Sequence, residues 1–405
     1  MKKGTTLTSI DVGTTKVCTI VADVSSGNNI RVIGVGITPT IGLAKGLVVN
    51  INEARESIRE SVRKAEQASG YRVESAYVGV TGRHVSSLNN RGVIAITRND
   101  RLVRSDDLRR VLECARGVKV PSERRLLHVI PRGYAVDGQA GVRNPVGMHG
   151  FRLDVETHII TAATTSVQNL VKCIRSIGVD IDDLILEPLA SSEAVLTEDE
   201  RQVGVILADI GGGTTDIAIF RDGSIWHTAV LPVAGYQITR DVAIGLGLPF
   251  VVAEEMKKKY GSVMPVYESK AETPAALSEN GHGVSYQDLC DIIRARVEEI
   301  LRLISLELPH AEYKAIVPAG LVLTGGSAKL SGIAALGQDM LRLQVRVGVP
   351  SGMYGIADAL HDPAYATGVG LLLWGSRNGG TQTWEVGGFG DRLRHLVSRI
   401  KRLFG

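Results

Sequence analysis

Two periods alternate along this 405-residue chain, and each marks a kind of element. In residues 9–23, SIDVGTTKVCTIVAD, an apolar strand ends in an acid, breaks at a Gly/Thr turn and resumes as alternating β-branched residues. That pattern predicts a β-hairpin. Residues 207–220, LADIGGGTTDIAIF, repeat it, and Asp11 aligns with Asp209 at an offset of 198 residues. Two like hairpins half a chain apart predict a duplicated architecture.

Steps of three and four mark helices. Leu108, Val111, Leu112 and Ala115 form one apolar face behind Ser105, read as the N-cap, with Asp106 and Asp107 in the first turn. Leu289, Ile292, Ile293, Val297, Ile300 and Ile304 form a longer one, read as core, between a Ser285 cap and Pro309. LILEPLASSEAVL reads as a strand ending at Glu187, with Pro188 opening a helix. GLVLTGGSAKL reads as a buried strand entering a turn at Gly325–Gly326, and the apolar run in PAYATGVGLLLWGS as a final strand and turn. Residues 262–284 read as loop and short edge strands.

The last segment, GFGDRLRHLVSRIKRLFG, follows a Gly-containing linker. On a helix it places Phe389, Leu393, Leu396, Val397, Ile400, Leu403 and Phe404 on one face, flanked by Arg392, Arg394, Arg399, Lys401 and Arg402. Three readings fit: a last core helix, a helix for a partner groove, or an interfacial membrane helix. The basic flanks favour the membrane surface and anionic lipid. Residues 388–405 carry a net charge of +4 out of +3 for the whole chain, so the body is near −1. With 4% aromatic residues and no basic field over the body, nucleic acid is disfavoured as the main partner. Cys18, Cys114, Cys173 and Cys290 are far apart without CxxC pairs, which argues against a disulfide framework or zinc site and for a reducing cytoplasm. No signal peptide is visible, and no run approaches the roughly 20 apolar residues of a membrane span.

The hairpin turns carry the candidate chemistry. Gly13, Gly211, Gly212 and Gly213 let backbone N–H groups approach anionic oxygen. Thr14, Thr15, Thr214 and Thr215 add hydroxyls, and Lys16 a point charge. Asp11 and Asp209, at strand C-terminal ends, suit Mg²⁺ held directly or through water. The GxxxxGK[ST] loop is absent. Glu187 is a candidate to polarise a water facing a γ-phosphate; an acid favoured by the helix dipole is the alternative. Gly325, Gly326 and Ser327 offer bare backbone to a nucleoside. Glu254 and Lys257, three apart on one helix face, suit ribose and adenine; a solvated charged helix is the plainer reading.

In this order the five motifs resemble the actin-like ATPase superfamily. The segment 84–163, with LHVIPRGYAVDG and VRNPVGMHGFRLDVETHIITA, narrows the resemblance to the FtsA family of bacterial cell-division proteins, as do VPAGLVLTGGSAKL and PAYATGVGLLL. Arginines in the segment read as solvated surface. The resemblance implies an α/β, two-lobe ATPase fold of four subdomains with ATP and Mg²⁺ in the cleft. Its divisions fall at 1–83 and 164–203 (1A), 84–163 (the inserted 1C), 204–246 and 318–375 (2A), 247–317 (2B), 376–387 (linker) and 388–405 (a C-terminal amphipathic membrane-targeting helix). It implies slow hydrolysis at most, an actin-like protofilament, and binding of the C-terminal peptide of the tubulin-like FtsZ on the second lobe, with Arg294 and Arg296 as candidate contacts. It further implies recruitment of later division proteins at the cytoplasmic face of the membrane. A pilus-assembly actin-like adaptor and a small-molecule kinase on the same core are the alternatives.

Overall fold

The computed structural model describes residues 5–24, 30–264, 276–279, 282–308, 316–356 and 358–378. The whole segment 388–405 lies outside the described residues, as does Pro309. So do its membrane candidates Phe389, Arg392, Leu393, Leu396, Val397, Arg399, Ile400, Lys401, Arg402, Leu403 and Phe404.

The two hairpins open two sheets of like topology. In the first sheet the strands run Asp180–Leu186, Ser75–Val80, Thr5–Val12, Lys16–Val24, Ile30–Pro39, Met353–Gly355. In the second they run Ser224–Leu231, Thr215–Arg221, Val205–Ile210, Leu321–Thr324, Val345–Val347. In each, the leading strand pairs antiparallel with its hairpin partner and parallel with a later strand: Thr5–Val12 with Ser75–Val80, and Val205–Ile210 with Leu321–Thr324. A leading strand in that position is covered on both faces, and all six residues of Val205–Ile210 are buried.

Helices cover the sheets. Ile51–Ser69 starts at Asn50, whose side chain accepts from the Asn52 N–H at 3.1 Å, and stops at Gly70 in the left-handed region. Between the sheets lie two helices, Glu187–Val195 and Ala366–Asn378, in one core shared by both lobes with Ile20, Leu207, Phe220, Leu372 and Trp374. They pack so closely that any side chain at Gly370 would overlap the Ala190 carbonyl. Ala366–Asn378 corrects the expected final strand and turn, and it enters the first three residues of the expected linker. Every residue from Ala366 to Gly375 is buried. A helix buried all round has no apolar stripe, so its sequence lacks the helical period.

Residues 85–163 form a separate four-stranded sheet, Val85–Ala95, Arg152–Ala163, Arg124–Val136, Gln139–Val142, covered by the helix Ser105–Arg116. Leu108, Val111, Leu112 and Ala115 bury against Ile96, Val103, Tyr134 and Leu153, as their spacing predicts. Ser105 is not the cap. It is the first helical residue, and Arg104 stands at the cap with its N–H donating to the Asp107 carboxylate at 2.9 Å. Nor are all the arginines solvated surface. Arg98 and Arg110 pair with the fully buried Asp107, and Arg132 is 11% exposed.

The long helix of the second lobe, Tyr286–Leu306, begins as expected: Ser285 Oγ accepts from the Asp288 N–H at 3.2 Å. Leu289, Ile293, Val297, Ile300 and Ile304 are buried, and Ile292 half-buried against the same core. Where loop and short edge strands are expected, Ala276–Glu279 and His282–Ser285 form a two-stranded antiparallel sheet of their own. No helix among the described residues is long and apolar enough to cross a membrane.

Candidate nucleotide site between the lobes

The two hairpin turns are built alike and meet face to face. Gly13 N–H donates to the Lys16 carbonyl at 3.0 Å, and Gly211 N–H to the Thr214 carbonyl at 2.9 Å, closing a four-residue turn in each hairpin. A side chain at Gly212 would overlap the Thr15 side chain, and one at Gly213 would press on Thr14. The glycines of the second turn therefore admit the threonines of the first.

Four carboxylates converge below these turns: Asp11, Glu187, Asp209 and Asp216, none more than 8% exposed. Burial is the main cause of a raised pKa in each. Asp11 is pushed up to about 6 and Asp216 to about 7 from 3.8, Glu187 goes well above its ordinary value, and Asp209 also rises. Repulsion among the carboxylates adds to burial for Asp11, Asp216 and Glu187. Lys16 is the nearby cation; its Nζ donates to the Ala364 carbonyl at 2.6 Å and lies 4.7 Å from the Tyr365 ring centre.

Asp209 is held by hydroxyls from both closing helices, Ser191 Oγ at 2.6 Å and Thr367 Oγ1 at 3.2 Å. Asp216 accepts from Thr214 Oγ1 at 2.9 Å and, across the lobes, from Thr81. Glu187 opens its helix with Pro188 in the first turn, as the sequence predicts, and borders a small hollow lined also by Thr81, His84 and Ser166. Among the described residues no three His, Cys, Asp or Glu side chains converge tightly enough to hold a metal unaided.

The nucleoside candidates adjoin the second turn. Gly325 sits at φ +85°, where a side chain would strike Asp209. Ser327 Oγ donates to the Gly211 carbonyl at 2.9 Å, and Gly235 N–H reaches the same oxygen at 3.1 Å. Glu254 and Lys257 are not a solvated face: they pair at 2.6 Å, and Lys257 Nζ also donates to Thr239 Oγ1 at 2.8 Å and the Gly235 carbonyl at 3.3 Å. Gly326 opens the 3₁₀ turn behind Gly325, and Thr215 Oγ1 donates to the Val233 carbonyl at 2.7 Å. Arg294 and Arg296 lie apart from this cluster in ion pairs, Arg294 with Glu298 at 3.0 Å and Arg296 with Asp241 at 2.5 Å.

Asp216, Ser191, Thr367, Thr81 and Gly235 were not singled out from the sequence. A signal existed for two of them. Asp216 closes GGGTTD, where the offset of 198 places Cys18, and Ser191 stands one helical turn after Glu187.

Paired lobes of this topology, with acid-bearing hairpins meeting between them, define an actin-like ATPase fold. Solved structures agree. The PilM–PilN type IV pilus biogenesis complex aligns with a TM-score of 0.65 at 19% identity, over 91% of this chain and 98% of that one. MreB 5 of Spiroplasma citri bound to AMPPNP aligns at 0.56 and 14% identity, over 91% and 95%. The family model for the cell division protein FtsA matches residues 206–370, and that for the SHS2 domain inserted in FtsA matches 82–161. Cell division protein FtsA of Pseudomonas aeruginosa is 42% identical over 93% of this chain and 90% of its own length. That of Escherichia coli K12 is 36% identical over 98% and 97%. The chain belongs to the FtsA family of cell division proteins, and the pilus adaptor is a likeness of fold alone.

Proposed function

We propose that the protein binds Mg-ATP between its lobes, assembles into an actin-like protofilament and ties FtsZ to the cytoplasmic membrane at the division site. The carrying observation is the junction of the two turns over Asp11 and Asp209, which belong to a cluster of four buried carboxylates whose mutual repulsion a divalent cation would relieve. The nucleotide-bound MreB neighbour supports the same reading. Asp11 and Asp209 would hold Mg²⁺, directly or through water. Backbone N–H groups of Gly13–Lys16 and Gly211–Thr215 would face the phosphates, and Lys16 would add its charge. Gly325, Gly326 and Ser327, with Glu254 and Lys257, would border the nucleoside.

Mg²⁺ supplies charge neutralisation at the phosphates when bound. Glu187, raised by burial, would take a proton from an attacking water poorly while protonated, which accords with slow turnover. The FtsZ C-terminal peptide would dock on the second lobe, where Arg294 and Arg296 would share or exchange their acidic partners. Residues 388–405 would lie in anionic lipid, and the assembled filament would recruit later division proteins. The direct test is binding of a fluorescent ATP analogue with and without Mg²⁺. Asp11→Asn and Asp209→Asn are expected to abolish the Mg²⁺ dependence; an unchanged dependence in both rejects the site.

A further inference from the structure

We infer that the inserted sheet is a coupling strap, fastened to both lobes, that links the position of the second hairpin to the strand leading into Glu187. The inference rests on the nucleotide reading above and goes beyond it by assigning the insert an intramolecular role.

One end is fastened to the second lobe. Three insert strands face Ser224–Leu231, the edge of the second sheet. Ser87 Oγ donates to the Thr228 carbonyl at 2.9 Å, and Asn89 Nδ2 to the Trp226 carbonyl at 3.4 Å. His158, 1% exposed, bonds at both ring nitrogens: Nε2 to Thr228 Oγ1 at 2.9 Å and Nδ1 to Asn89 Oδ1 at 2.7 Å. The guanidinium of Arg132 lies 4.2 Å from the Trp226 ring centre, a desolvated cation–π contact. The other end is fastened to the first lobe. His128, four residues before Arg132 on the same strand, accepts the Leu186 N–H at 3.1 Å through Nε2, and Leu186 precedes Glu187.

The second lobe links this contact to its turn through one strand pair. Thr228 stands opposite Ala218, and Leu231 opposite Thr215, the residue that follows the Gly211–Thr214 turn. A shift of that turn moves Ser224–Leu231 with it. The insert must then follow, pulling on Leu186, or the buried His158–Thr228 bond must break. Packed elements of this kind have discrete arrangements rather than continuous compliance, which is what a two-state coupling element requires.

The experiment uses the full chain and amide hydrogen exchange with Mg-ATP as the probe. In the parent, saturation is expected to slow exchange in 85–95 and 152–163 by about fivefold, the low end of ordinary coupling. Thr228→Val keeps the side-chain shape and removes the hydroxyl that meets His158; Arg132→Gln removes the nearer of two cations over Trp226, the one on the insert. Each is expected to lose most of that response while fluorescent-nucleotide affinity changes by no more than about fivefold, the factor that reciprocal linkage allows. A response of full size in both variants overturns the strap, as does no response in a parent that binds nucleotide. A second arm needs no nucleotide: Thr228→Val is expected to speed exchange in the helix Glu187–Val195, and unchanged exchange there overturns the strap. A parent that binds no nucleotide rejects the proposed function separately, and this second arm still decides the strap.

Discussion

Ser191 donates a 2.6 Å hydrogen bond to Asp209, joining the helix that carries Glu187 to the leading strand of the opposite lobe. The bond lowers the Asp209 pKa against a burial effect that raises it. Ser191→Ala removes one of two hydroxyl partners from a buried carboxylate. A loss of about 1–3 kcal/mol in ligand-free stability is expected, the usual penalty for stranding a buried charged acceptor. Mg²⁺ dependence of nucleotide binding should steepen, because more of the negative charge is left to the cation. Urea unfolding and an Mg²⁺ titration read the two effects separately.

The buried acids and histidines make the stability of the ligand-free protein respond to pH in opposite senses. Asp11 and Asp216, raised to about 6 and about 7, favour the fold fully below their unfolded values, and that contribution is lost as pH rises through 6–7. His158 and His84, lowered by burial to about 3 and about 4, favour the fold above 6.5, and their contribution is lost as pH falls. The two windows overlap from about pH 4 to 6.5, where the opposed effects largely offset each other, so the parent Tm is expected to vary little there. Asp11→Asn removes one of the falling contributions and should gain on the order of 3 kcal/mol over the parent between pH 4 and pH 8. Mg-ATP, which favours the ionised carboxylates, should raise the parent Tm most at the alkaline end. Thermal scans from pH 4 to 9 decide; a Tm profile unchanged by Asp11→Asn removes that carboxylate from the account.

Gly212 distinguishes an anion cradle from simple packing of two turns. A methyl group there overlaps Thr15, so Gly212→Ala is expected to abolish nucleotide binding with little loss of secondary structure. Thr15→Ser removes the methyl group nearest that position. If the double variant regains affinity to within about tenfold, or 1.4 kcal/mol, turn–turn contact governs the loss. Continued absence of binding places the new side chain in the phosphate path instead.

For the tail, Leu396→Glu with Ile400→Glu is expected to release the protein from anionic vesicles while leaving nucleotide affinity unchanged. Five basic residues at about 1 kcal/mol each would make such attachment salt-sensitive, and an apolar helix face would make that sensitivity partial. Vesicle flotation at low and high salt measures both. A double variant that still floats rules the tail out as the anchor.

The duplicated hairpins were legible because a Gly/Thr turn and an apolar strand each leave a local signature, and the offset of 198 residues exposes the repeat. The helix Ser105–Arg116 was equally plain from its one-sided apolar face. Ala366–Asn378 was not, since uniform burial erases the period that separates helix from strand. The site divides the same way. Acids placed by the repeat, Asp11 and Asp209, could be read. Thr81, Thr367 and Gly235 reach the site from distant parts of the sequence through tertiary packing, and no local pattern marks them. Glu254 and Lys257 were identified as a face, yet their enclosure with Thr239 depends on a neighbouring helix.

The chain beyond residue 378 continues directly from Ala366–Asn378, the helix enclosed between the lobes. Ser9 is bonded to the Gly368 carbonyl at 2.8 Å, Lys16 to Ala364 beside the start of this helix, and Asp209 to Thr367 in its first turn. Mechanical tension on the chain from that side would therefore not be dissipated in a peripheral loop. It would enter at the far end of the axle between the lobes and pass along the helix, about 16 Å from Asn378 to Thr367 at 1.5 Å per residue, to the first turn that holds Asp209.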